Sequence, residues 1–273
     1  MQYRTDKTLF FALSFSLVLT GVTLINVHSA FAEGEFIGPY VALSIGSDTS
    51  LSEASGDFSY DNLFAGGADG SAQSGTVKAS RSFDFDAAGT LGAGYTIQLS
   101  DRVRFGVEGV FRLSGEEIIK ENSLFSFPNP NNRADELRDL TVATTVDPGS
   151  QMSLSFQPGY LIRDDILVFG SVSYHYMNAD VRSVTTFDSS ILNTPSLTEA
   201  ISEEDFHGIG IGIGGRYALN KNWSLFGRGE WIKFKSQKVS GPSLSTLDEI
   251  TFSQDTDVAP SRASLMFGIV FSL

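Results

Sequence analysis

Residues 91–113 read LGAGYTIQLSDRVRFGVEGVFRL, and their alternation decides the fold. Leu91, Ala93, Tyr95, Ile97 and Leu99 share one face, with Gly92, Gly94, Thr96 and Gln98 opposite. After Ser100-Asp101-Arg102 the alternation resumes, setting Val103, Phe105, Val107, Phe111 and Leu113 against Arg104, Gly106, Glu108 and Arg112. Successive side chains of a strand point to opposite faces, so each run reads as a strand with one apolar and one polar side. Asp tolerates left-handed backbone and bonds its own turn, so the short gap joins the two runs as a hairpin.

Outward from this hairpin, the period of two recurs in eight segments. They are Phe36–Ser47, Ser82–Leu99, Val103–Leu113, Gln151–Ile162, Ile166–Asn178, Phe206–Leu219, Trp223–Val239 and Arg262–Leu273. The even gaps are the tight turns Ser100-Asp101-Arg102, Arg163-Asp164-Asp165 and Asn220-Lys221-Asn222. The odd gaps, Asp48–Arg81, Ser114–Ser150, Ala179–Asp205 and Ser240–Ser261, hold 34, 37, 27 and 22 residues. An all-β, eight-stranded antiparallel transmembrane barrel has this layout, with four long loops on one end and three tight turns on the other.

Composition agrees. The chain has 273 residues with 22 Phe, 27 Gly and 8 Pro, a mixture suited to strands and turns. It has no cysteine, which excludes disulfides and thiolate metal or redox sites. A net charge of -13 argues against nucleic acid, whose phosphates need clustered Lys and Arg.

The N-terminus reads as a targeting segment. Arg4 and Lys7 precede an apolar stretch from Leu9 to Ile25, and Ala30-Phe31-Ala32 supplies the small-x-small cleavage pattern. The expected division is a signal peptide at 1–32 and a barrel at 33–273. An uncleaved membrane anchor is the alternative, disfavoured by the cleavage pattern at the right distance. No second apolar run approaches a membrane helix, so a membrane-embedded mature chain must be a closed barrel.

Alternation alone does not say which face is inside, since a soluble barrel such as a lipocalin has the same period. Three features favour an apolar exterior. Aromatic residues bracket the apolar face, with Tyr95, Tyr160, Tyr217 and Trp223 by the tight turns. Phe83, Phe111, Tyr174, Tyr176 and Trp231 lie toward the long loops, as expected of two interfacial girdles. The polar face is rich in Gly and Ser, which suits a crowded lumen. The long loops all fall on one end.

The stretches Gly38-Pro39-Tyr40-Val41-Ala42, Gly92-Ala93-Gly94-Tyr95 and Phe226-Gly227-Arg228-Gly229-Glu230-Trp231, with the terminal strand Met266 to Leu273, resemble the outer-membrane protein A-like and opacity-type family of small eight-stranded barrels. The resemblance covers the whole mature chain as a pattern. It implies export to the outer membrane of a Gram-negative bacterium, insertion by the barrel-assembly machinery, contact with outer-membrane lipid and lipopolysaccharide, and surface-exposed loops. The family commonly ends in an aromatic residue, whereas this sequence ends Phe271-Ser272-Leu273.

Eight strands leave an interior just wide enough for side chains to fill. By parity the lumen receives Asp84, Asp86, Arg104, Glu108, Arg112, Arg216, Arg228, Glu230 and Arg262. Unpaired charges there would be costly, so they are expected to pair, with Arg104, Glu108, Arg228 and Glu230 as the central network, structural or gating.

Gly210-Ile211-Gly212-Ile213-Gly214-Gly215 matches the glycine spacing of a dinucleotide-binding turn, but a tight turn and another strand follow instead of the helix that chemistry needs. The plainer reading is a strand with Ile209, Ile211 and Ile213 toward lipid. A hydrolytic triad would need His175 or His207 on a Ser and a carboxylate, and no spacing for one stands out. Neither Asp255-Thr256-Asp257 nor Glu203-Glu204-Asp205 has the spacing of a dedicated calcium loop. No catalytic, cofactor or metal residues are therefore assigned.

The four long gaps together carry 22 acidic and 6 basic residues, a net of -16 that exceeds the net -13 of the whole chain. Asp61–Ser74 within the first is Gly- and Ala-rich and is expected to be mobile. Acidic loops recruit cations or a basic partner. The sequence thus points to a non-enzymatic surface protein, adhesin- or antigen-like, that contacts a host or cell-surface partner. A narrow gated porin is the alternative, and an envelope lipid hydrolase the third reading.

Overall fold

The computed structural model describes residues 36–51, 53–62, 73–78, 83–114, 119–128, 137–189, 196–240, 244–246 and 250–273. The expected signal peptide, and most of the stretch expected to be mobile, lie outside these residues.

Every regular element among the described residues is a strand. The first five are β1 (Gly38–Leu51), β2 (Glu53–Asn62), β3 (Gln73–Lys78), β4 (Phe83–Gln98) and β5 (Val103–Ser114). Next come β6 (Ile119–Pro128), β7 (Leu137–Arg163), β8 (Ile166–Ser189), β9 (Ser196–Ala218) and β10 (Trp223–Phe234). Last are β11 (Gln237–Ser240), β12 (Leu244–Thr246), β13 (Ile250–Ala259) and β14 (Ser261–Ser272). Antiparallel pairing runs β5-β4-β1-β14-β10-β9-β8-β7, and β5 also pairs β7, so these eight strands close into a barrel.

The three turns sit where Asn, Asp and Ser can cap them. Asn220 Oδ1 accepts from the backbone N–H of Asn222 (3.0 Å) and of Trp223 (2.9 Å), fixing the β9–β10 turn. Leu99 and Ser100 both donate to the Val103 carbonyl, at 3.0 and 3.3 Å, between β4 and β5. At this end Leu273 N–H donates to the Pro39 carbonyl at 3.0 Å, tying the last residue to β1.

The faces follow the parity of the sequence. Ile45, Ile209, Ile211, Ile213 and Phe267 stand outside, each more than half exposed. Arg104, Glu108, Arg112, Arg216, Arg228 and Glu230 are buried inside. An apolar exterior around a charged interior is the inverse of a water-soluble barrel.

The upper part of the wall departs from expectation. β7, β8 and β9 are 27, 24 and 23 residues long, whereas about 9–11 suffice to cross a bilayer. β6 continues β5 along β7, with Ile119↔Val146 following Arg112↔Gln151. β2 and β13 continue the β1–β14 pair, with Glu53↔Ala259 following Ser50↔Arg262. β11 and β12 pair with β13. Much of what reads as four loops is therefore strand rising past the band. In sequence the runs 141–146 and 181–187 are rich in β-branched residues without a sustained apolar–polar alternation, so the contrast that marks a membrane strand is missing. The β7–β8 ladder shifts between Pro148 and Gln151, where proline has no N–H to give.

Candidate functional site

The lumen is built in layers. At the turn end Phe36 packs on Leu161 and Leu167, forming an apolar inner cap. It reaches them because Phe36 and Gly38 adopt left-handed φ values of 62° and 98°, which fold the start of the chain under the barrel. Above it Tyr40, Ala42 and Val270 cluster with Phe226.

The middle is ionic. Glu108 on β5 accepts from Tyr40 Oη at 2.8 Å, Arg228 Nη1 at 2.9 Å and Arg216 Nη2 at 3.5 Å. Arg216 also donates to Gln157 Oε1 at 3.3 Å, and its guanidinium lies 4.1 Å from the Tyr40 ring centroid. One step outward, Glu230 Oε1 accepts from Ser173 Oγ at 2.5 Å and meets His175 Nε2 at 3.3 Å. Further out, Arg112 Nη1 is 2.6 Å from both Asp48 oxygens and Nη2 donates to Ser264 at 2.9 Å. Arg262 approaches the same carboxylate at 3.5 Å.

An outer apolar cap closes the stack: Val146, Met177, Phe206, Ile232, Phe234 and Val258 pack together with almost no exposure. Within the ionic layers lies a cavity of about 10 Å³ beside Arg112, Gln151, His175, Arg228 and Glu230, room for about one water. Among the described residues, side chains thus occupy the lumen layer upon layer, as the width of an eight-stranded barrel leads one to expect.

Of the four residues read as the central network, Glu108 and Arg228 meet directly, and Glu230 forms the next layer with Ser173 and His175. Arg104 does not join them. Its Nη1 donates to the carbonyls of Ser100 (2.8 Å) and Asp101 (3.3 Å) in the β4–β5 turn, because it lies four residues nearer that turn than Glu108. Asp84 and Asp86 fall among residues whose side chains are not described; Asp86 stands opposite Asp48 in the β1–β4 register. Asp48 and Tyr40 were missed as partners, although the parity of Tyr40, Ala42, Ser44, Gly46 and Asp48 was available to find them. Tyr160, Tyr217, Trp223 and Trp231 stand exposed on the outer wall, and Tyr95 is half-buried there.

The glycine-rich stretch 210–215 lies within β9. A Cβ at Gly210 would run into Ser173, His175 Nε2 and Glu230 Oε1, so the glycines make room for lumen side chains. The Ser173, His175 and Glu230 group has the residue types of a triad but not its geometry. The same ring nitrogen, Nε2, faces both Ser173 (2.8 Å) and Glu230, whereas a relay needs the carboxylate on Nδ1. Among the described residues, no three His, Asp or Glu side chains group as a metal site.

A closed ring satisfies every wall hydrogen bond internally, and with an apolar exterior it is a structure that spans a membrane. The molecule is thus a transmembrane β-barrel with a filled lumen. The chain belongs to the outer membrane protein beta-barrel domain family, whose model matches residues 17–271, and it resides in the outer membrane. Solved structures similar to it include the outer membrane protein OprG from Pseudomonas aeruginosa, at 18% identity over 88% of this chain and 99% of that one, TM-score 0.44. Another is Ail, the attachment invasion locus protein of Yersinia pestis, at 13% identity over 82% and 97%, TM-score 0.29. The outer membrane protease OmpT from Escherichia coli shares 8% identity over 86% and 96%, TM-score 0.38. A comparison with curated proteins finds no match.

Proposed function

We infer that this barrel is a sealed, non-enzymatic anchor that raises an acidic, strand-built platform above the outer membrane for contact with a basic partner. The filled lumen carries this reading: two apolar caps enclose interlocked ion pairs, so solute passage would require breaking buried contacts costing about 3–5 kcal/mol each. The rising strands present acidic side chains, with Asp147, Asp180, Glu199, Glu203 and Asp257 exposed. Charge on such a surface steers encounter with cationic partners and repels anionic polymers. Insertion by the barrel-assembly machinery and contact with lipopolysaccharide belong to the same reading.

The test is binding of a polylysine probe to the barrel in zwitterionic vesicles. Native protein should bind and should release the probe as salt rises, while the D147N/D180N/D257N variant should bind several-fold more weakly. Equal binding by both would count against the platform. The narrow-pore reading is put to the conductance test that closes the Discussion.

A further inference from the structure

The outer wall carries a graded patch across three adjacent strands. Its lowest row is Val172, Ile211 and Trp231, on β8, β9 and β10. The next is Tyr174, Ile209 and Lys233, and the last is Tyr176, His207 and Lys235, the Lys235 N–H donating to the His207 carbonyl at 2.8 Å. The surface thus turns from apolar to amphipathic to cationic within two steps of the pleat.

Position relative to the bilayer follows from the tryptophans. Trp223 and Trp231 both point outward on β10, at opposite ends of its apolar stretch. At about 3.3 Å per residue and the tilt of such barrels, they lie about 20 Å apart along the membrane normal. Tryptophan settles at the headgroup boundary, so the two mark the inner and outer interfaces. Lys233 and Lys235 then stand about 5 and 10 Å above the outer boundary, at the depth of lipid headgroups.

Neither ammonium has an ion-pair or hydrogen-bond partner among the described residues, although acidic residues predominate at this end of the barrel. The nearest carboxylate row is already engaged: Asp205 Oδ1 accepts from Tyr176 Oη at 2.7 Å and from Asn178 Nδ2 at 3.0 Å. His207 Nδ1 is held by Tyr174 Oη at 2.7 Å, which leaves its Nε2 available. An unpaired lysine near an anionic membrane surface gains about 1 kcal/mol, the equivalent of about five-fold in affinity.

We propose that Lys233 and Lys235, with His207 beside them, form a binding site for the phosphate of an outer-leaflet lipid whose acyl chains lie against Val172, Ile209 and Ile211. The lipid is a phosphorylated glycolipid or phospholipid of the surrounding leaflet, held on the β8–β9–β10 face.

The experiment titrates the folded mature barrel in detergent with diphosphoryl lipid A and counts retained lipid by native mass spectrometry. Folding of each variant is verified by its gel shift on boiling. Native protein and K221A, altered at an inner-turn lysine, should retain one lipid at concentrations about twenty-five-fold lower than K233A/K235A. The K233R/K235R variant should behave as native, and a dephosphorylated glycolipid should bind as weakly as diphosphoryl lipid A does to K233A/K235A. Equal retention by native protein and K233A/K235A, or an equal loss in K221A, would overturn the site. Displacement of the lipid by millimolar inorganic phosphate would overturn the assignment to lipid and assign the lysines to a free anion.

Discussion

Arg228 Nη1 donates to Glu108 Oε1 at 2.9 Å, joining β10 to β5 across the full width of the barrel. Each strand lies four places from the other round the ring in either direction, so this one contact ties diametrically opposed walls. Glu108 also takes Tyr40 from β1 and Arg216 from β9, which makes it the hub of the lumen.

Removing that hub leaves two guanidinium groups buried without their carboxylate. Glu108→Ala should lower stability by about 3–5 kcal/mol, read as the shift of the urea unfolding midpoint of the refolded barrel. An unshifted midpoint would mean the pairs contribute nothing.

Room at Gly210 is set by the side chains that meet there. Gly210→Ala should cost about 1–3 kcal/mol by the same measurement, because His175 Nε2 and Glu230 Oε1 stand only 2.8 and 2.9 Å from the new methyl carbon. A stability equal to native would show that this layer is loosely packed.

What the sequence made legible, and what it hid, divides along a physical line. Period-two alternation needs no knowledge of pairing, so the hairpin at 91–113, the faces and the three turns could be read directly. Partner choice depends on register, which parity does not give. Arg104 and Glu108 share a face yet belong to different levels of the barrel. Asp48 looked like the first residue of a loop after Gly46-Ser47, but it continues the inward row of β1 and binds Arg112. The rising parts of β7, β8 and β9 were hidden because their sequences are mostly polar or β-branched and lack a sustained apolar–polar alternation. The apolar outer cap was hidden too, since Phe206, Ile232 and Phe234 point into a lumen expected to be polar.

The lipid-facing wall makes its own prediction. Ile213 stands near mid-wall and is 67% exposed, so Ile213→Lys should cost about 2–4 kcal/mol in folding into lipid vesicles. A soluble barrel would accept the same lysine on its surface with little change, and that result would reverse the faces.

Export predicts a defined mature terminus. Cleavage after Ala32 should give a chain beginning at Glu33, read from the intact mass of protein purified from the outer membrane. A mass retaining residues 1–32 would turn the leader into an anchor.

The sealed lumen is the central claim, and single-channel recording of the refolded mature barrel in a planar bilayer tests it most directly. With insertion confirmed independently, a silent bilayer is the predicted result, both for the native chain and at raised voltage. Steady, reproducible openings whose size changes in Glu108→Ala or Arg228→Ala would contradict it and make the ionic layers a gate.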